Sequence, residues 1–389
     1  MAIDAFDCKV CGCAALEDVP GYSSLARVTS DCRPFRGGGS LVVCAKCGAA
    51  QALPDEQWFS EIGEIYGNYD IYHQSGGMEQ HVFDNSIGVI RKRSDLLVQR
   101  LEELTAIPRS GKLLDIGCGN GVTLRAFADR GRWSLHGLEI DDRSLSSLAH
   151  IPGFETLHLC PPGEVQESFD VITLIHALEH FPNPYDFLTQ IRGKLRDNGV
   201  LFIQVPNAAA NHFDHVVADH LLHFNPQTLS VLLRRAGFDR IQIFTEWIIK
   251  EISVVARLGK DEAQLNPNST HVDTSHITAQ VGWLNRVVRS AQSAASANSC
   301  FGLFGSSIAA TWLWRAVSDR VQFFVDEDPN RIGRSHLGCP IIGLQQVPAG
   351  ASVFLALAEP LAHSVQQRLQ HLPFHLREPP VINEPNACG

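Results

Sequence analysis

The segment from Leu113 to Gly121 reads Leu-Leu-Asp-Ile-Gly-Cys-Gly-Asn-Gly and constrains this chain more than any other. A short β-rich run passes straight into three glycines at alternate positions, and a helical pattern starts near Thr123. Glycine lets the backbone bend sharply and come close to a ligand where a Cβ would collide, so the segment predicts a strand, a ligand-facing turn and a helix. A dinucleotide-binding turn places its third glycine three residues after the second; here the gap is two, which suits a ligand without a pyrophosphate. Eighteen residues past Gly121, the run Leu135 to Glu139 ends on a carboxylate placed to accept hydrogen bonds from both hydroxyls of a ribose.

Around this segment, strand-like runs alternate with helical stretches. Leu113 to Ile116, Leu135 to Glu139, Phe169 to Leu174 and Val200 to Val205 are the clearest strands, and the alternation predicts a parallel sheet covered on both faces. Ile241 to Phe244 and Ile252 to Ala256 lie too close together for a helical crossover, so the last strand should run antiparallel. Before the sheet, Val89, Ile90, Leu96, Leu97, Leu101 and Leu104 recur at helical spacing. After it come a polar stretch, a helix from Ile277 to Ala297, and a second unit with strands at Val321 to Val325 and Val353 to Ala358. The expected divisions are a cysteine module over 1–56, a helical lead-in over 57–107, the main sheet over 108–258, a linker and helix over 259–299, and a C-terminal α/β domain over 300–389.

A chain of 389 residues with 44% hydrophobic and 19% charged residues can bury two or three ordinary cores. The net charge of -10 argues against a large nucleic-acid footprint, because phosphate binding needs a field of Lys and Arg. No apolar run is long enough to span a membrane and Met1 to Lys9 does not read as a secretory signal, so a cytoplasmic location is expected. Among eleven cysteines, Cys8 with Cys11 and Cys44 with Cys47 form two Cys-x-x-Cys knuckles. Together they supply the four ligands of a closed tetrahedral site, predicting a structural zinc ion that substitutes for a core the short segment lacks.

Asp115 to Gly121 after a strand, Glu139 closing the next, Phe169 to Leu174, Leu178-Glu179-His180 beyond it and a reversed final strand together resemble the class I S-adenosylmethionine-dependent methyltransferase fold over roughly residues 85–257. The resemblance implies an α/β protein with a Rossmann-like seven-stranded methyltransferase sheet, an N-terminal zinc-binding module and a C-terminal α/β domain. It implies that Gly117, Gly119 and Gly121 approach the methionine part of S-adenosylmethionine, that Asp115 supports its amino group, and that Glu139 holds the ribose. Glu179 and His180 would line the pocket under the sulfonium. His176 and His180, four apart, could instead share a helical face and hold a metal.

The three-part layout, with Val325-Asp-Glu-Asp-Pro-Asn-Arg-Ile-Gly-Arg334 and Gly338-Cys-Pro-Ile-Ile342 near the end, is similar to the sugar C-methyltransferases that act on nucleotide-linked keto-deoxysugars. That resemblance implies a small-molecule acceptor, a nucleotide-sugar, and assigns no nucleic-acid or membrane partner; it leaves the oligomeric state open. Methylating a carbon beside a ketone requires removal of a proton, for which a histidine is suited near neutral pH. On the Asp219-His220-Leu221 pattern, His220 is the implied base and Asp219 its orienting partner, with Tyr72 the substrate-facing tyrosine of the lead-in. The chain departs from the family where Val217 and Ala218 replace Tyr and His, and Asp219 replaces Glu. Three competing readings are an O-methyltransferase using the same donor site, a catalytically silent scaffold, and a dinucleotide site formed by Phe301 to Ser307 with Asp326.

Overall fold

The structure is a computed structural model, and it describes residues 6–70, 77–79, 81–84, 89–104, 107–259 and 273–382. Its centre is a sheet of seven strands: β1 (Ser110–Ile116), β2 (Arg132–Leu138), β3 (Phe154–His158), β4 (Phe169–Ile175), β5 (Leu195–Pro206), β6 (Phe238–Phe244) and β7 (Glu251–Leu258). They lie in the order β3-β2-β1-β4-β5-β7-β6. β1 to β5 pair in parallel, whereas β7 runs antiparallel to both β5 and β6, as the short β6–β7 connection requires.

Helices cover both faces, which is why these strands read as nearly continuous apolar runs. Leu114, Ile116, Ile172, Leu174, Leu201 and Ile203 fill one core. Leu113, Leu135, Val171, Val200 and Phe202 face the other, against Leu97 and Leu101 of the helix Arg93–Glu103 and Phe127 of the helix Val122–Ala128. β3 was invisible in the sequence because Phe154–His158 is a partly exposed edge strand carrying no buried residue.

The helical lead-in is interrupted by strands. A helix Glu56–Gly67, capped by Asp55, is followed by a hairpin of His81–Asp84 with Val89–Lys92, and only then by the helix Arg93–Glu103. Val89 and Ile90 lie on the hairpin and are exposed, so their helical spacing was coincidental.

The N-terminal strands Leu16–Asp18, Leu41–Cys44 and Ala50–Ala52 form an antiparallel sheet whose fourth strand, Leu222–His223, comes from the segment following β5. The C-terminal unit has five parallel strands in the order Cys339–Ile342, Val321–Val325, Phe301–Phe304, Ser352–Leu355, His375–Arg377, edged by the antiparallel Ser335–His336. The helix Ser275–Ser296 packs with the helix Ile308–Val317 beside it. N-terminal and C-terminal parts share one core: Val28, Leu41 and Val43 meet Trp283, Trp312 and Phe301, and Phe213 and Val216 of the segment after β5 are buried among them. No described helix is long and apolar enough to cross a membrane.

Candidate active site

The glycine turn ends β1 as expected. Gly117, Gly119 and Gly121 all take positive φ, 72°, 51° and 82°, which glycine adopts without the steric cost borne by other residues. Their surroundings separate them. A Cβ on Gly121 would fall 2.5 Å from Leu148 and 2.7 Å from Ile151, and one on Gly117 would lie 3.2 Å from the Ala177 Cβ, whereas one on Gly119 would meet nothing within 4 Å. Gly121 is thus demanded by packing, and Gly119 faces open space of the kind a ligand fills.

Glu139 follows β2 and its carboxylate is fixed by backbone: Gly119 N–H donates to Oε1 at 2.6 Å and Ile140 N–H to Oε2 at 3.3 Å. Burial raises its pKa, which these two hydrogen bonds oppose. The remaining lone pairs are available to a diol. Asp115 is buried within the sheet, accepts from Thr173 Oγ1 of β4 at 2.6 Å, and is pushed up to about 7 by burial.

After β4 the chain makes a single 3-10 turn, Leu178–His180. His176 has a left-handed φ of 52°, so His176 and His180 do not share an α-helical face and the expected metal alternative loses its geometry. His176 instead lies 3.4 Å from both Glu179 Oε1 and Glu251 Oε2. Glu179 is fully buried, and neither carboxylate oxygen has a hydrogen-bond partner among the described residues. Although burial alone would raise its pKa, His176, His180 and His220 hold it below the ordinary value. A buried carboxylate whose one close partner is the His176 ring at 3.4 Å still favours a further cation, and the sulfonium of S-adenosylmethionine is such a cation. This buried carboxylate, the open space over Gly119 and the fixed Glu139 fit the donor.

The segment from Asn207 to Phe224 holds the second half of the site. His220 Nδ1 meets Asp214 Oδ1 at 2.8 Å, and His223 Nδ1 meets Asp214 Oδ2 at the same distance, all three side chains being buried. The expected pairing of His220 with Asp219 is therefore corrected. Asp219 accepts from Ser30 N–H at 2.8 Å and Ser30 Oγ at 2.5 Å, tying the segment to the N-terminal module, while its backbone carbonyl faces His180 Nδ1 at 3.0 Å. Asp214 lies six residues upstream, at the 3-10 turn His212–Val216, and no local sequence signal distinguishes it from Asp219. Burial pushes the His220 pKa down, but the Asp214 carboxylate outweighs it and the result is raised to about 9. His180 stacks edge-on against His220, centroids 4.8 Å apart, and is lowered by burial and by that neighbour. His215 Nε2 donates to Gln280 Oε1 at 2.7 Å, and burial lowers its pKa to about 3. Tyr72 lies outside the described residues; Tyr66, near it in sequence, has its ring 6.3 Å from that of His180.

The cysteine knuckles come together as their spacing predicts. The ligand atoms of Cys8, Cys11, Cys44 and Cys47 all lie within 4.8 Å of one another, with Sγ–Sγ distances of 3.6 Å (Cys8 to Cys47) and 3.7 Å (Cys11 to Cys44). A tetrahedron of Zn–S bonds about 2.3 Å long has edges of about 3.8 Å, so the four thiols are pre-set for a zinc-sized ion. Each knuckle ends on a left-handed glycine whose N–H returns to the first cysteine carbonyl: Gly12 to Cys8 and Gly48 to Cys44, both at 2.8 Å.

In the C-terminal unit, the dinucleotide reading finds Asp326 already engaged by Ser306 Oγ at 2.5 Å, with Arg331 at 3.5 Å.

Comparison with known proteins agrees with the central sheet. Residues 89–243 match the family model for a methyltransferase domain. The ubiquinone biosynthesis O-methyltransferase of Neisseria meningitidis is 26% identical over 155 residues, 34% of this chain and 65% of that protein. The tRNA U34 carboxymethyltransferase of Pseudoalteromonas translucida is 29% identical over 164 residues, 38% of this chain and 50% of that protein. Among solved structures, the Burkholderia thailandensis 1,6-didemethyltoxoflavin-N1-methyltransferase aligns with a TM-score of 0.38 at 20% identity, covering 54% of this chain and 95% of that one. The matches span one half to two thirds of these curated relatives. The chain thus carries a class I S-adenosylmethionine-dependent methyltransferase domain, with additional N-terminal and C-terminal regions of its own.

Proposed function

We propose that the whole chain is an S-adenosylmethionine-dependent methyltransferase that methylates a carbon of a nucleotide-linked keto-deoxysugar, with His220 as the base. The observation that carries this reading is His220 itself. It sits beside His180 at the donor half, its Nδ1 is fixed by Asp214, and its Nε2 would take a proton from the acceptor once the ring is in its neutral form.

When bound, S-adenosylmethionine supplies the methyl group. Glu139 would hold its ribose, the Gly117 to Gly121 backbone would pass beneath it, and Glu179 would offset the sulfonium charge. His220 would accept the proton alpha to the ketone, and the imidazolium so formed is stabilised by Asp214. Cys8, Cys11, Cys44 and Cys47 would hold a structural zinc that fixes the sheet to which Leu222–His223 belongs. Since N-terminal strands and C-terminal helices jointly clamp the histidine segment, the acceptor is expected to touch all three parts.

A second reading, O-methylation of a glycan or natural-product hydroxyl, is favoured by the activity named for the Neisseria relative. The test begins with calorimetry of S-adenosylmethionine binding to the wild type, followed by incubation with keto-deoxysugar nucleotides in deuterated water. Carbon methylation predicts His220-dependent exchange of the alpha hydrogen before methyl transfer. Methyl transfer without such exchange selects the oxygen reading, and absence of donor binding overturns both.

A further inference from the structure

A cavity of about 310 Å³ lies between the N-terminal module, the helix Glu56–Gly67 and the segment after β5. Its rim carries the exposed Asp18 and Gln57, its floor the buried Arg27, Trp58 and Glu61, and one wall is formed by Val217, Ala218 and His220. Cavities of roughly 300 Å³ and above are the usual size for small-molecule sites, and this one matches a single sugar ring better than a nucleotide.

Three features define what it would take. First, Trp58 is only 5% exposed, yet its indole N–H has no hydrogen-bond acceptor among the described residues. A buried donor left without a partner is costly, and a ligand oxygen in the cavity would relieve that cost. Second, the lining presents Asp18, Asp55 and Glu61 beside two cationic side chains, Arg27 and the protonated form of His220. The guanidinium is consumed by a two-pronged pair with Glu61, at 2.8 and 2.9 Å, and the imidazole is held by Asp214 at 2.8 Å. Both cations of the lining are thus already paired with a carboxylate rather than free for a phosphate. Third, Val217 and Ala218 line the same wall as His220, so the cavity reaches that imidazole along an apolar face.

We propose that this cavity seats the reacting ring of the acceptor, a hydroxylated six-membered ring without negative charge, with a ring oxygen or hydroxyl accepting from Trp58 and hydroxyls donating to Asp18 and Asp55. The assignment of the ring as the acceptor's rests on the methyl-transfer reading above. It also requires that the diphosphate and base of a nucleotide-sugar lie outside the cavity, away from its carboxylates.

The test uses the full-length protein with its indole nitrogens labelled with ¹⁵N. Six tryptophans give six indole signals, and that of Trp58 is the one lost in Trp58→Phe. L-rhamnose is titrated as the neutral probe, D-glucosamine as a cationic one and glucose 6-phosphate as an anionic one. Donor affinity is measured calorimetrically on the same sample. The expected result is a saturable shift of the Trp58 signal with rhamnose and glucosamine, at least about tenfold weaker with glucose 6-phosphate because of like-charge repulsion. In Ser40→Trp, which fills the cavity from a half-buried loop, the shift should disappear while donor affinity is retained. No shift with any sugar, a shift that survives Ser40→Trp, or preference for the phosphate would overturn the proposal. Donor binding without a sugar response would remove the cavity and leave the methyltransferase reading standing, whereas a sugar response without donor binding would do the reverse.

Discussion

The two halves of the candidate site are built in opposite ways. The donor half is local: Asp115 to Gly121 and Glu139 come from two neighbouring strands and their exits, and the backbone at one exit, Gly119 N–H, fixes the carboxylate at the other. The histidine half is assembled from the whole chain. Ser30 and Ala52 of the N-terminal module, Glu179 after β4 and Gln280 of the helix Ser275–Ser296 each hydrogen-bond the segment 212–221, with sequence separations up to 189 residues for Ser30 with Asp219. Local construction makes a site legible from sequence and tolerant of damage elsewhere. Distributed construction makes it depend on every module at once.

The largest expected break in that contrast comes from the cysteine knuckles, proposed to hold zinc. Cys44→Ser, or chelation, should loosen the sheet that contains Leu222–His223 and cut methyl transfer by more than about 100-fold, since structural zinc binding is worth on the order of 10 kcal/mol of folding energy. Donor affinity, measured by calorimetry, should stay within a few-fold; equal loss of both would show that the halves are not separable. Phe213→Ala empties a fully buried position between Trp283 and Trp312 and should cost about 3–5 kcal/mol in denaturant unfolding.

Within the donor half, Glu139→Ala removes the carboxylate proposed to accept from two ribose hydroxyls and should weaken S-adenosylmethionine binding roughly 10- to 100-fold, about 1.5–3 kcal/mol. Gly121→Ala and Gly119→Ala sharpen the picture further. Gly121→Ala meets Leu148 and Ile151 and should cost about 1–3 kcal/mol of stability, while Gly119→Ala should reduce donor binding more than thermal stability.

The smallest effect tests the histidine half alone. His220, raised to about 9, is protonated in the free protein at neutral pH, so kcat/KM should climb with pH until about 9. Because its folded value lies above the unfolded one near 6.5, its contribution to stability is complete below about pH 6.5 and is lost as pH rises through about 9. Asp214→Asn should lower the His220 value, read from its imidazole proton shifts, and displace the rate profile to lower pH. An unmoved titration would show that Asp214 does not set the ionisation of His220.

Legibility followed the same division. The glycine turn, the reversed β7 and the strand Val321–Val325 were readable because each is specified by residues adjacent in sequence. The cysteine ligands were readable although distant, since two knuckles of fixed spacing leave few alternatives. What could not be read was the partner of His220: Asp214 and Asp219 are both acidic, both close, and only tertiary contacts with Ser30 and His223 tell them apart. β3 escaped because an edge strand with no buried residue leaves no periodic signature, and the hairpin of His81–Asp84 with Val89–Lys92 because exposed apolar residues mimicked one.

The strand Leu222–His223, which closes the N-terminal sheet although it belongs to the segment after β5, has a practical corollary for anyone wishing to redirect such a catalyst by exchanging parts. A chimera that swaps only the cysteine module would pair a foreign sheet edge with a resident strand. The graft boundary that respects the hydrogen bonding runs through Asn207 and Phe224, so that the histidine segment travels with the module that grips it.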